Sequence, residues 1–246
     1  MVFVVSLVIG LSKLSAWSRI TVQNVVVRGN DVLNAEELKA DVNEKLSGNY
    51  LFLFSKRNIA LYPKEHIRTA LVEKYKRIQD LTIETQEANV IALTIIERKP
   101  VALWCSESCY YLDSAGYIFA EAPHFTEDVY ISYRGMLTDD SPIGASFLTE
   151  QSFANLQTFV KNLSDIGISV TSVAVKEDEE YEISVNNGED SEEGGVIYVN
   201  TREPLTKTFE NIKTFITDYR SKNSGELPAV EYIDARFGNN IVFKFR

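Results

Sequence analysis

Two apolar runs, Leu93 to Ile96 and Val101 to Trp104, flank the polar tetrad Glu97-Arg98-Lys99-Pro100. Both runs are rich in branched and aromatic side chains and bounded by polar residues, the pattern of strands. Pro100 constrains what lies between them. Without an N–H it cannot sit inside a central strand, so it marks an edge or a break. The tetrad therefore reads as the seam between two domains that share nearly continuous β-structure. Just beyond it, Tyr110 to Phe119 predicts a strand, a tight Asp113-Ser114-Ala115-Gly116 turn and a second strand, with Gly116 supplying the positive φ.

The chain of 246 residues suits one large domain or two modest ones, and at 45% hydrophobic residues it can build cores. Its net charge of -10 argues against a nucleic-acid partner, because phosphate binding needs a basic face. With only two histidines, His66 and His124, there is little material for a His-built metal site or a Ser-His-Asp triad. Ser114 and Gly116 lack the G-x-S-x-G frame of a nucleophile elbow, and no glycine-rich loop precedes a helix. The sequence thus predicts no enzyme, no cofactor and no small-molecule substrate.

Cys105 and Cys109 flank Ser106-Glu107-Ser108. No second Cys or His pair completes a zinc site. If the three intervening residues form a hairpin loop, the thiols face one another and a disulfide is expected in an oxidising compartment; the alternative is two half-buried free thiols.

Residues Val2 to Leu11 are almost wholly apolar. As a helix they cover only about 15 Å, half of a ~30 Å hydrocarbon core. Continuing to Trp17 lengthens the run but includes Lys13, which can snorkel while Trp17 sits at an interface. A signal-peptide core and a buried strand are competing readings. The favoured one is a membrane anchor over residues 1–18 whose start lies outside the sequence.

From Ile20 to Asp31 the pattern is a strand ending in a Gly29-Asn30 turn. Asn34 caps a helix with Glu37 three residues on and an apolar stripe of Leu38, Val42 and Leu46. Leu51 to Phe54 reads as a docking loop between helices. Pro63 opens a second helix with Ile67, Ala70 and Leu71 inward. Strands Leu81 to Thr85 and Val90 to Ile96 complete a β-α-α-β-β unit over residues 20–98.

Beyond the seam, residues 99–246 predict a mostly antiparallel β-domain with two helices, making the fold class α+β. Glu121 to Ala145 is a looser region. Thr149 caps a helix bearing Phe153, Leu156, Val160 and Leu163, ended by Gly167. Ile168 to Val175 alternates as a strand. Tyr181 to Val185 and Val196 to Val199 form a hairpin whose acidic loop, Glu189 to Glu193, is a solvated tip; its spacing does not fit an EF-hand. Pro204 starts a helix with Leu205, Phe209, Ile212, Phe215, Ile216 and Tyr219 inward. The chain closes on Tyr232 to Phe237, a Gly-Asn-Asn turn and Ile241 to Arg246. Asp234 and Arg236 share a strand face and are expected to form an internal ion pair.

This order of elements resembles the FtsQ/DivIB family of bacterial cell-division proteins, a POTRA domain followed by an FtsQ-type β-domain. The resemblance is carried by Val25-Val26-Val27-Arg28-Gly29-Asn30, the Tyr62-Pro63 helix start, Ile95 to Ala102 with its Glu-Arg-x-Pro-Val-Ala pattern, the Leu112 to Phe119 hairpin and Tyr232-Ile233-Asp234-Ala235-Arg236-Phe237. One departure is Tyr75-Lys76-Arg77-Ile78, where the family usually has a proline before the second strand.

The resemblance implies a single-pass plasma-membrane protein of the division septum, with both domains on the extracytoplasmic side. It further implies that FtsB/DivIC-like and FtsL-like partners are held, in part by strand addition at a C-terminal β-edge. The implied contacts are Arg236, Phe237, Asn239, Asn240, Ile241, Val242, Phe243 and Lys244. A POTRA-bearing envelope transport or chaperone module is the alternative; it predicts tandem units or a following barrel.

Overall fold

The computed structural model describes residues 1–87, 89–125, 129–137, 141–176, 179–186, 194–223 and 228–246. The chain divides between Arg98 and Lys99 into two compact units. Both are α+β.

In the first unit the elements run α1 (Val2–Ser15), a 3-10 turn (Ser18–Ile20), β1 (Asn24–Arg28), α2 (Ala35–Lys45), β2 (Asn49–Tyr50), β3 (Phe54–Ser55), α3 (Lys64–Lys74), β4 (Ile78–Glu87) and β5 (Val90–Glu97). Asn34 starts α2 by accepting the Glu36 N–H at 2.8 Å, satisfying one of the donors a helix start leaves open. Parallel β1–β5 and antiparallel β4–β5 pairing gives a three-stranded sheet in the order β1-β5-β4. Leu38, Val42, Leu46, Ile67 and Leu71 join Ile83, Ile91 and Leu93 in its core. Each such side chain, taken wholly out of water, contributes about 1.5–3 kcal/mol.

Three expectations change here. The first strand begins at Asn24, because Val22 and Gln23 donate their N–H groups to Arg57 O and Asn89 O outside the ladder. Leu51 to Phe54 is no docking loop: β2 and β3 pair as a hairpin whose tip, Leu51 and Phe52, lies in solvent at positive φ. The N-terminal helix forms, but its 14 residues reach only about 21 Å, and among the described residues no helix is long and apolar enough to cross a membrane.

The tetrad Glu97 to Pro100 holds local structure together. Glu97 Oε1 accepts the backbone N–H groups of Asp31, Val32 and Leu33 at 2.7, 3.1 and 2.9 Å. Arg98 donates its N–H to Arg77 O and its Nε–H to Lys76 O. The end of β5 thereby fastens the loop before α2 and the turn before β4. Glu97→Ala is expected to lower the stability of this unit by about 1–2 kcal/mol, less than a buried charged hydrogen-bond set because water reaches the loop. Glu97→Gln, which keeps one acceptor oxygen, should recover about half, and urea unfolding of the two variants checks both values.

The second unit runs β6 (Ala102–Cys105), β7 (Cys109–Leu112), β8 (Ile118–Glu121), β9 (Ser132–Arg134), α4 (Glu150–Asp165), β10 (Ser169–Val175), β11 (Glu180–Asn186), β12 (Gly195–Asn200), α5 (Leu205–Lys222), β13 (Val230–Phe237) and β14 (Asn240–Phe245). Among the described residues, nine strands form one mixed sheet, ordered β14-β13-β12-β11-β10-β9-β6-β7-β8. Antiparallel hairpins alternate with parallel steps at β12–β13, β9–β10 and β6–β9. The short strand β9, inside the stretch expected to be loose, joins the two halves of the sheet. Thr149 accepts the Ser152 N–H to begin α4, and Asp113 Oδ1 accepts from Ala115 and Tyr117 to set the turn at Gly116 (φ +76). Phe153, Leu156, Phe159, Leu163, Ile212 and Ile216 pack with Tyr133, Ile183, Ile197 and Ile233 in one core. The acidic loop between β11 and β12 lies outside the described residues.

Candidate partner-binding edge

Sheet order decides which backbone groups stay available. β14 is the terminal strand, bonded on one side to β13. Arg246 donates its N–H to Ala229 O across that pair at 3.0 Å. Strand groups alternate direction with period two, so Val242 and Lys244 also address β13, whereas the N–H and C=O groups of Ile241, Phe243 and Phe245 point away from the sheet. The opposite edge differs. There Ile118 N–H donates to Ala145 O, and Ile118 O accepts from Gly144, so residues 144–147 cover the first half of β8.

A second feature makes the β14 edge firm. Side chains of Ile241, Phe243 and Phe245 share the face toward α5. Phe243 packs on Phe215 with ring centroids 4.5 Å apart, and Phe245 packs on Tyr219 at 4.6 Å. Asn211 of α5 donates Nδ2–H to Gly238 O at the hairpin turn. Gly238 alone takes a positive φ there, as the first central residue of a II′ turn does, so the strands are joined by Gly238 and Asn239 and Asn240 already belongs to β14. Val242 and Lys244 lie on the other face, where Lys244 Nζ meets Glu231 at 2.8 Å.

The residues expected to contact a partner therefore divide. Phe237, Asn239, Asn240, Val242, Phe243 and Lys244 are exposed on the terminal hairpin, and Ile241 is half-buried. Arg236 is engaged internally: its guanidinium grips Asp234 at 2.6 Å and Glu180 at 2.7 Å, and stacks over Tyr198. These hydrogen bonds, Asp234 first, raise the Arg236 pKa further above its ordinary value. Burial alone would raise the Asp234 carboxyl, but hydrogen bonds from the Arg236 side chain and backbone outweigh it and hold the group below 3.8. A depressed carboxylate adds stability that is whole above its unfolded value and is lost as pH falls through the lower folded value. Asp234→Asn is thus expected to remove part of the acid-induced loss of stability below about pH 4, as read from thermal melts across pH. The aromatic backing by Phe215 and Tyr219, and Glu180 as a partner of Arg236, were invisible in sequence; the i, i+4 aromatic pair on α5 was legible as an inward face, but not what it would face.

Cys105 and Cys109 sit opposite each other in the β6–β7 ladder and are joined as a disulfide, S–S 2.06 Å. Beside them lies an open hollow of about 570 Å³, whose lining mixes Glu107 and Glu121 with His124 and Arg134. Nothing in this mixed lining selects one ligand, so the terminal hairpin is the stronger site. The sequence matches no protein-family model and no curated protein.

Proposed function

We propose that this chain is a non-enzymatic, membrane-anchored division protein of the FtsQ/DivIB kind, which holds FtsB/DivIC-like and FtsL-like partners and helps regulate septal wall synthesis. Partner capture occurs by strand addition at β14. The observation that carries this reading is the outward row of backbone groups at Ile241, Phe243 and Phe245, on a strand braced from behind by α5. The order β1-β5-β4 around two helices supports reading residues 20–98 as a POTRA domain, and residues 99–246 then take the place of the FtsQ-type β-domain. The disulfide supports an extracytoplasmic setting, since such bonds persist in oxidising compartments. Residues 1–18 are the membrane anchor in this reading.

The cellular test is a fluorescent fusion in dividing cells. Midcell enrichment is expected. A uniform envelope distribution throughout division would count against the assignment.

A further inference from the structure

Two apolar segments distant in sequence meet at the start of the chain. One is α1, whose exposed Phe3, Leu7, Leu11 and Leu14 follow at spacings of three and four, so they form a stripe along one side of the helix. The other is the β2–β3 hairpin, whose tip residues Leu51 and Phe52 are 84% and 97% exposed. Both take left-handed φ, 49° and 62°, a conformation costly for side chains of this bulk, and so the turn holds them out from the fold.

The two segments are fastened side by side. Ser15 Oγ accepts the Ser55 N–H at 3.2 Å, and one turn earlier Ser12 Oγ donates to Leu53 O. Asn58 Nδ2–H adds a bond to Ser15 O at 3.0 Å. The contacts pair descending positions on α1 with descending positions on the hairpin. From Ser55 through Leu53 to its tip, the hairpin therefore points toward the N-terminal end of α1.

Charge distinguishes the two units. The first unit has 13 Lys and Arg against 11 Asp and Glu, while residues 99–246 have 12 against 24. Within the first unit, the sequence stretches 1–30 and 45–64, which include α1 and the hairpin, contain no acid, although Glu44 and Glu65 border the second. The two stretches contribute Lys13, Arg19, Arg28, Lys45, Lys56, Arg57 and Lys64. Trp17 lies at the base of α1 under the Arg19 guanidinium, 5.4 Å from its ring centroid. An apolar prominence on a stretch of chain whose nearby charges are mostly basic, with an exposed tryptophan at the base of α1, fits the boundary between acyl chains and anionic headgroups.

We infer that the β2–β3 hairpin tip is a second membrane contact: Leu51 and Phe52 insert at the anionic lipid interface beside α1, and so fix the orientation of the first unit on the bilayer. The inference rests on the membrane-anchoring half of the proposed function and is independent of strand addition.

The test uses the full chain carrying Phe52→Trp, bound to phosphatidylcholine vesicles with brominated acyl chains, with and without phosphatidylglycerol. Compared with the unsubstituted chain, the introduced indole should blue-shift and be quenched, more so with phosphatidylglycerol. A parallel Leu51→Asp/Phe52→Asp chain should bind the anionic vesicles about tenfold more weakly or worse, given two apolar side chains no longer buried. If the chain floats with vesicles but the new indole is neither shifted nor quenched, the hairpin contact is wrong and anchoring by α1 stands. If the chain does not associate with either vesicle, both ideas fall.

Discussion

Phe243→Pro is expected to abolish most partner binding while leaving the protein folded, and Phe243→Ala is expected to weaken binding far less. Phe243 directs its N–H away from β13, so proline there removes no bond of the sheet's own ladder. It does remove a donor that an added strand needs, and it places a ring where that strand would lie. Losing one hydrogen bond and leaving a partner carbonyl unsatisfied costs about 2–4 kcal/mol, roughly a thirty- to thousandfold drop in affinity. The alanine variant loses the ring contacts with Phe215, Tyr219 and Phe245, as the proline variant also does, but keeps the donor. Comparing the two separates backbone from side chain. Equal affinities for the two variants in a titration with an FtsB/DivIC-like partner would sink strand addition as the mode of capture.

The second large effect concerns Gly29, just after β1. Its φ is +77°, and a Cβ built there would collide with the carbonyl oxygen of Ile95. That oxygen belongs to β5, the central strand of the first sheet, and has no room to withdraw. Gly29→Ala should therefore cost about 3 kcal/mol or more, combining left-handed strain with displacement of backbone. Gly48 provides the control. It has nearly the same φ, +80°, but nothing lies within 4 Å of its added Cβ. Gly48→Ala should cost only about 1 kcal/mol, the conformational part alone. Urea denaturation of both variants reads the difference, and equal losses would show that close approach at Gly29 is unimportant.

What sequence revealed and what it hid follow from the range of the forces involved. Asn34 and Thr149 as caps, Gly116 in its turn and the stripes of α2, α4 and α5 depend on neighbours within a few residues, so they were legible. Strand β9 was not: three residues are too few to show a period, yet its parallel bonds to β6 and β10 unite the sheet. The Leu51 to Phe54 run misleads because apolar character suggests burial, whereas a two-residue strand pair at a tight turn leaves nowhere for those side chains to go. At the C-terminal edge, local pattern identified the hairpin but said nothing of its position in the sheet. Terminal placement comes from the parallel step between β12 and β13, and the stiffness of the edge from Phe215 and Tyr219, both long-range facts. Arg236 was expected at once in an internal pair and at a partner contact; its bonds to Asp234 and Glu180 favour the former.

Amide hydrogen exchange, resolved residue by residue along β14, reaches the central claim most directly. In the free chain Val242 and Lys244 should be protected, while Ile241, Phe243 and Phe245 exchange fast. Adding an FtsB/DivIC-like partner should slow those three and leave the other two unchanged. Protection of Ile241, Phe243 and Phe245 in the free chain, or fast exchange persisting in a formed complex, would contradict it.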